Sequence, residues 1–570
     1  MLARCFSTTS RASRLPKITK PLSSFLANSP PDDSTTLLNP PAQQSPTPHI
    51  TPYTHTSNEA VPHIEAPNVK FHLKTYGCQM NVSDTEIVRA LLLSSTSPQF
   101  TEVETEDSAD LLLTNTCAIR EGAETKIWQR LRLLRSMDNH SSSNYSPRPA
   151  EEIPTKRGKR IVGVLGCMAE RLKDSMFTEG NVDLIVGPDA YRDLPNLVGK
   201  LLDTTSDDSS GRASNTQLSL EETYGEIHPI REGKGASAFV SVMRGCNNMC
   251  SYCIVPFTRG RERSRELGTI VTEVTRLVEE QGVKEVVLLG QNVNSYHDKN
   301  ESAIQSRPDS DYKTSSPGFS NTFKSRGGGG YYFADLVDAV SRVDPELRVR
   351  FTSPHPKDFP RELLQLIAER SNVCNHLHMP SQSGSTTVLE RMRRGYSRES
   401  YLELIQDVRE RIPGVGISTD MIAGFCGETE EEHEDSVTLM EEVGYDQAFM
   451  FAYSMREKTH AHRRMQDDVE EPVKQRRLRE IIDTFYDRLL IKNQAEIGST
   501  QTILVEGESK KGGQWSGRSD ANKTVVFEIR EEDKVEIGDY VRVGVKGITG
   551  PTLIGSFKGK TTLREESMRG

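Results

Sequence analysis

Strand-length apolar segments alternate with stretches of helical period along most of this chain, and few folds accommodate that alternation. Strand, helix and strand in succession build a parallel sheet covered by helices. In the first series, Val69–Tyr76, Asp110–Asn115, Arg160–Leu165 and Val182–Val186 read as strands, with helices near Ser83–Leu93 and Gly122–Leu134. This predicts an α/β domain over 68–202 with a doubly wound parallel sheet. Ser-rich stretches at 141–157 and 204–215 read as surface insertions, and 203–235 as a linker. A second series over 236–495 offers Phe239–Met243, Glu285–Leu289, Arg348–Thr352, His376–Met379, Gly416–Ile422 and Gln447–Phe451 as strands. Helices such as Leu267–Glu280 and Glu362–Glu369 lie between them, so a central (βα)6 partial barrel is expected, interrupted by a flexible Ser/Gly-rich insert at 298–330. At 498–562, Thr500–Glu506, Thr524–Ile529 and Tyr540–Val545 suggest a small antiparallel β-barrel in the size range of oligonucleotide-binding barrels.

The cysteines fall at telling places in this framework. Cys246, Cys250 and Cys253 form a C-x3-C-x2-C run directly after the first strand of the second series. Three thiolates this close can hold three irons of a [4Fe–4S] cluster and leave the fourth iron open to a small molecule. A structural zinc site wants a fourth Cys or His nearby, and none is adjacent. Cys78, Cys117 and Cys167 each follow a strand of the first series. The carboxyl ends of parallel strands share one edge, so three separate loops are expected to present these thiols to one rim as a second three-thiolate site. Taken singly, each would read as a small buried hydrophobe. Cys374 reads as core, Cys426 as a residue of a Gly-rich loop, and Cys5 as part of the tail.

Composition sets limits around this chemistry. Nine cysteines in 570 residues exclude a disulfide scaffold. A net charge of −10 excludes a uniformly basic coat, though not a local basic groove. No apolar run reaches the ~18 residues of a membrane span. Residues 1–67 are rich in Pro, Ser and Thr, and carry Arg4, Arg11, Arg14, Lys17 and Lys20 with no acid before Asp32. That composition is expected of a mitochondrial transit peptide and disordered linker.

Several motifs together resemble the methylthiotransferase family of radical S-adenosylmethionine enzymes. They are Thr75–Asn81, Asn115–Cys117, Gly166-Cys167, Arg244–Gly260, Leu288–Tyr296, Ser353-Pro354-His355-Pro356, Gln382–Gly384, Arg394-Gly395-Tyr396 and Thr419–Thr429, and the likeness runs over most of Val69–Lys560. It is nearest to the branch that modifies isopentenylated adenosine in tRNA, including mitochondrial eukaryotic relatives. The resemblance implies two [4Fe–4S] clusters and S-adenosylmethionine as cofactors. Cys246, Cys250 and Cys253 would hold the cluster whose electron cleaves S-adenosylmethionine to a 5′-deoxyadenosyl radical, and that radical would take hydrogen from adenosine C2. Cys78, Cys117 and Cys167 would hold the auxiliary, sulfur-delivering cluster. Gly290, Gln291, Asn292, Gln382, Gly424, Gly427 and Glu428 would line the S-adenosylmethionine site, although Gln382 also fits a plain polar turn, and Cys426 stands where the family usually has Pro. The barrel motif Gly517–Asp520 with Asn522 is similar to the family's nucleic-acid-binding TRAM barrel. Arg394, Arg518, Asp520 and Asn522 would then contact RNA, and Trp515 is either a stacking platform or barrel core.

Charge adds little support for RNA, because residues 501–570 hold 12 Lys/Arg against 11 Asp/Glu. Basic groups at Arg391, Arg393, Arg394 and Arg398, and at Arg456, Lys458, Arg463 and Arg464, read equally as solvated faces. The expected activity is methylthiolation of isopentenyladenosine at tRNA position 37 in the mitochondrial matrix. The expected partners are a tRNA anticodon stem-loop, a ferredoxin-like electron donor and a sulfur source, for a monomer without a membrane span. The alternatives are a methylthiotransferase for threonylcarbamoyl-adenosine or a ribosomal protein, and a non-catalytic protein that binds a kinase regulator.

Overall fold

The first strand shows why the N-terminal sheet forms. In β1 (Asn68–Thr75) Val69, Phe71 and Leu73 are buried and alternate with more exposed neighbours. β3 (Leu111–Thr116) and β4 (Ile161–Gly166) are buried at every position, the pattern of central parallel strands covered on both faces. The computed structural model describes residues 68–118, 121–136, 159–173, 175–179, 182–203, 211–233, 235–308, 318–319, 328–509, 512–530 and 533–569. The expected transit peptide, Cys5 and the 141–157 insertion lie outside them.

The first domain runs β1, α1 (Gln79–Leu93), β2 (Gln99–Glu102), β3, α2 (Glu121–Ser136), β4, α3 (Cys167–Leu172), β5 (Leu184–Val186), α4 (Leu194–Leu202) and β6 (Ala213–Asn215). The sheet is parallel throughout, in the order β2-β1-β3-β4-β5-β6. Chain direction across the sheet reverses between β1 and β3, the switch point beside which doubly wound sheets place their sites. Two strands depart from the sequence reading. β2 falls in a stretch read as connecting chain, and β6 lies within the segment read as surface insertion and linker. Both are short edge strands, which need only backbone pairing along one side and so carry little apolar signal.

The second domain comprises β7 (Ser237–Ser241), β8 (Met243–Arg244), α5 (Val255–Thr258), β9 (Arg263–Ser264), α6 (Leu267–Gln281), β10 (Glu285–Leu289), β11 (His297–Asp298), β12 (Tyr331–Tyr332), α7 (Phe333–Ser341), β13 (Arg348–Phe351), α8 (Arg361–Glu369), β14 (His376–His378), α9 (Arg398–Arg411), β15 (Gly416–Ala423), α10 (Glu430–Val443), β16 (Gln447–Ala452) and α11 (Glu471–Ala495). Its six principal strands form two parallel sheets, β13-β10-β7 and β14-β15-β16, which meet through a single bridge between Val349 and Val373. The result is the expected six-stranded partial barrel. In α6, Ile270, Val274 and Leu277 recur at helical spacing and are buried in its core. The insert opens with a short helix, Glu301–Ser306, and its base is tied by the antiparallel β11–β12 ribbon.

The third domain is a closed barrel of β17 (Thr500–Glu508), β18 (Trp515–Arg518), β19 (Thr524–Glu528), β20 (Tyr540–Thr549) and β21 (Thr552–Thr561). Four of its pairings are antiparallel and the β19–β21 closure is parallel. Trp515 packs, partly buried, against the barrel core of Ile503, Val505, Val525 and Phe527. The barrel docks at the amino-terminal ends of the core strands. Arg348 donates to the carbonyls of Arg518 (2.9 Å) and Thr502 (2.8 Å). Arg350 donates to those of Asp520 (2.8 Å) and Ser519 (2.6 Å) while pairing with Glu285 (2.6 Å). All three domains lie within one compact unit, Glu65–Gly570.

Candidate active site

The three cysteines of the first domain follow three strands that are neighbours in the sheet. Thr75 pairs with Asn115, and Thr116 with Gly166, so the strands end level. Adjacent strands are ~4.8 Å apart, which puts the three loops on one short stretch of rim. Cys78 immediately precedes α1, Cys117 follows β3 and Cys167 opens α3. Buried amides staple the loops together. Asn81 accepts from Cys78 Sγ (3.2 Å) and donates to the Thr116 carbonyl (2.8 Å), and Asn115 donates back to the Asn81 carbonyl (2.9 Å). Gly77, at φ +122°, has no room for a side chain, since a Cβ there would lie 2.5 Å from Cys117 Cβ. A hydrogen bond with Cys117, aided by the Arg259 charge, pulls the Cys78 thiol down to about 6 against the effect of burial. The Cys167 thiol is instead pushed up by burial, with Arg259 opposing.

The second set lies at the carboxyl end of the core barrel. Cys246 and Cys250 are buried and Cys253 half-buried. The Asn248 N–H donates to Cys246 Sγ (3.3 Å), and the Cys253 N–H to the Cys250 carbonyl (3.0 Å). Burial and the neighbouring Cys250 push the Cys253 thiol up to about 12, and burial with Cys253 and Cys250 also raises Cys246. Buried thiols whose ionisation is suppressed, as at Cys246 and Cys253, favour a cation in place of their protons. Among the described residues no three His, Cys, Asp or Glu side chains converge on the position of a single ion. Two groups of three thiols suit an iron–sulfur cluster better than a mononuclear metal. Buried polar atoms without partners gather at the same strand ends: Asn248 Nδ2, both amide atoms of Gln291, and Asn292 Oδ1. A polar ligand would satisfy them.

A buried charge network joins the first set to the segments that flank the second. Asp84 on α1 accepts from Arg244 Nη1 (2.8 Å) and Arg259 Nη2 (2.7 Å). Arg244 lies two residues before Cys246, and Arg259 six after Cys253. Arg259 Nε also donates to Cys167 Sγ (3.1 Å). Beside this, Arg263 forks onto Asp189 (2.8 and 2.9 Å), and the Arg244 guanidinium lies 4.9 Å from the Tyr224 ring centre. Helix α3, which begins at Cys167, packs on α5, which follows Cys253. Cys78 and Met80 pack against Val287, Leu289 and Phe239 of the core barrel.

Family models match three regions in the order of these domains. "Uncharacterized protein family UPF0004" matches residues 70–187, "Radical SAM superfamily" 240–440, and "TRAM domain" 494–558. The human protein named mitochondrial tRNA methylthiotransferase CDK5RAP1 is 48% identical over 523 residues, covering 87% of this chain and 83% of its own length. The Chloroherpeton thalassium protein named tRNA-2-methylthio-N(6)-dimethylallyladenosine synthase is 45% identical over 500 residues, covering 87% and 98%. The chain belongs to the radical S-adenosylmethionine methylthiotransferase family. A rice relative named CDK5RAP1-like protein is 47% identical over 513 residues.

In this methylthiotransferase several residues expected to touch ligands have other partners. Arg394 is 4% exposed and donates to the Pro380 carbonyl (2.6 Å), Tyr396 Oη (3.0 Å) and Cys250 Sγ (3.5 Å). It lies beside a cysteine of the core and does not present a surface to RNA. Asp520 accepts from the Asn375 N–H (2.8 Å) and Asn522 donates to Gln447 (3.3 Å). Arg518 pairs with Glu506 (2.6 Å) and reaches Glu285 (3.4 Å). These three residues join the small barrel to the core. Gly424 has a packing reason of its own, since a Cβ would meet Lys474 Cγ at 2.4 Å, and Gly290 is likewise crowded by Met243 at 2.6 Å. Glu428 holds the Gly424 N–H (2.7 Å) and Arg477 (3.0 Å), and burial pushes its carboxyl up to about 7. The Gly427 N–H donates to Asp468 (2.6 Å). Gln382, at φ +71°, bridges to Met421, its side chain 3.4 Å from Asp420.

The sequence reading did not anticipate Asp84, Arg244 and Arg259 as a unit, nor the barrel's inner face. There His378 lies 3.4 Å from Asp420 and 6.0 Å, ring to ring, from Phe449, which is 45% exposed. Asp420 and Phe449 are register partners, so they share that face.

Proposed function

We propose that this methylthiotransferase adds a methylthio group to C2 of N6-isopentenyladenosine at position 37 of tRNA, in mitochondria. The observation that supports the reading is the buried seam between the domains, where Arg259, six residues after Cys253, reaches both Asp84 and Cys167 of the first domain. Cys246, Cys250 and Cys253 hold one [4Fe–4S] cluster, and Cys78, Cys117 and Cys167 hold the other. When bound, the clusters supply the electron that cleaves S-adenosylmethionine and the sulfur that is transferred, chemistry that acid–base side chains cannot perform.

The protein's own groups orient and enclose. The unpartnered amide of Gln291 and the free Oδ1 of Asn292, whose Nδ2 is held by Asp358 (3.0 Å), bind the polar part of S-adenosylmethionine at the carboxyl end of β10. His378, Asp420 and Phe449 form the wall that receives the modified base, with Phe449 providing apolar surface for the isopentenyl group. Packing of α1 and α3 on the core fixes the distance between the two sets and keeps water from the space between them. The anticodon stem-loop is the part of the tRNA engaged. A ferredoxin-like protein supplies electrons, and the chain acts as a monomer. Residues 1–67 serve as the mitochondrial address.

The test is mass spectrometry of tRNA from a strain lacking the gene. Loss of 2-methylthio-isopentenyladenosine with accumulation of isopentenyladenosine is expected, and an unchanged ratio refutes the assignment. Anaerobic reconstitution should give about eight irons per chain from two four-iron clusters. Cys246→Ala and Cys117→Ala should each retain about half.

A further inference from the structure

The seam holds three buried arginines, and only one of them touches sulfur. Arg244 and Arg263 donate to carboxylates and backbone carbonyls. Arg259, 3% exposed, divides its guanidinium among three environments. Nη2 donates to Asp84 at 2.7 Å and Nε to Cys167 Sγ at 3.1 Å. Nη1 is buried with no partner. Because Asp84 also takes Arg244, one carboxylate is shared by two guanidiniums, and Arg259 keeps positive charge that Asp84 does not offset. That charge is fixed in a dry seam beside a cysteine of the first domain, yet it is carried by a residue of the second.

We propose that Arg259 is a positioning residue of the radical core that sets the reduction potential of the auxiliary centre through its N–H bond to Cys167. This rests on the reading that Cys78, Cys117 and Cys167 hold a cluster. A hydrogen bond and a nearby positive charge on a ligating thiolate both stabilise the reduced, more negative cluster and so raise its potential. Delivery of that charge depends on docking, because Arg259 enters the sulfur site only when Asp84 of α1 grips it. The potential of one centre is thereby coupled to correct placement of the other. The unpartnered Nη1 leaves a further donor for the anionic sulfur carried at the auxiliary centre.

The experiment is an EPR-monitored redox titration of the reconstituted full chain, with and without added S-adenosylmethionine. Signals that S-adenosylmethionine leaves unchanged are assigned to the auxiliary centre. Arg259→Gln should keep the wild-type iron content and make that centre harder to reduce by about tenfold, about 59 mV for a one-electron couple. Arg263→Gln loosens the same seam without touching sulfur and should leave the potential in place. An unshifted Arg259→Gln, or an equal shift in Arg263→Gln, overturns the proposal. Should Arg259→Gln fail to fold, wild-type chain labelled with 15N-arginine decides. A 15N hyperfine coupling on the auxiliary signal is expected, and its absence overturns the assignment. If the wild-type chain takes up only about four irons, the two-cluster reading fails instead, which is a separate result.

Discussion

Asn in place of Asp84 is nearly isosteric and removes the charge that two buried arginines share. Asp84 Oδ1 takes Arg244 Nη1 at 2.8 Å, and Oδ2 takes Arg259 Nη2 at 2.7 Å and Tyr191 Oη at 3.3 Å. Burial opposes ionisation here, but Arg244 and Arg259 outweigh it and hold the carboxyl below its ordinary range. The residue is therefore ionised at neutral pH, and the whole interaction is lost on substitution. Removing one partner of a buried ion pair costs about 3–5 kcal/mol. Arg244 retains the Pro188 carbonyl at 2.9 Å and Asp189 at 3.5 Å, whereas Arg259 keeps only Cys167, so the upper half of that range is expected. The chain has two tryptophans, Trp128 on α2 and Trp515 in the small barrel, so Trp515→Phe leaves a reporter on the first domain alone. At a slope of about 2 kcal/mol per molar urea, the midpoint of the iron-free chain should fall by about 2–2.5 M. The fall should be smaller after reconstitution, when anionic thiolates beside Arg259 offset part of its charge. A fall under about 0.5 M in the iron-free chain, about 1 kcal/mol at that slope, would refute the view that one shared carboxylate secures the seam.

Gly77→Ala forces a side chain into a left-handed position 2.5 Å from Cys117 Cβ and should lose the auxiliary iron alone, leaving about four irons per chain by colorimetric assay. Arg350→Ala leaves Glu285 buried without its close partner and opens the joint to Ser519 and Asp520, so limited proteolysis should release the small barrel at least tenfold faster. Glu432 is held down to about 2, where burial opposes ionisation and Arg391 overcomes it. Its contribution is complete above pH ~4.5 and is lost as pH falls toward ~2. Thermal melts should show that acid-sensitive step disappearing in Glu432→Gln. Phe449→Ala should raise KM for isopentenylated RNA several-fold at unchanged iron content, and an equal effect on RNA lacking the prenyl group would remove Phe449 from its recognition.

What was legible in the sequence follows from what local pattern can encode. The strands bearing Cys78, Cys117 and Cys167 are apolar runs, so their shared edge could be inferred before any coordinates. β2 and β6 could not be read, because a four-residue and a three-residue edge strand owe their existence to neighbours. Helix α1 illustrates a deeper limit. Its Asn81, Ser83, Asp84 and Glu86 would ordinarily mark a solvent face, yet all are buried, Asn81 against the neighbouring strand ends and Asp84 against the second domain. The partners of Asp84 lie 160 and 175 residues away, and no periodicity reports a charge matched at that distance. The contacts of Arg518, Asp520 and Asn522 with the core were illegible for the same reason, since a charged motif looks alike whether it faces a phosphate or a neighbouring domain.

The small barrel and the cysteines stand at opposite poles of the core strands. The barrel caps the amino-terminal ends, while the cysteines emerge at the carboxyl ends. The eight residues of β15 span ~26 Å at ~3.3 Å each. A polynucleotide touching both poles must bridge that span with folded bulk, whereas an isolated nucleoside or a short oligomer at the cysteines would leave the far pole empty.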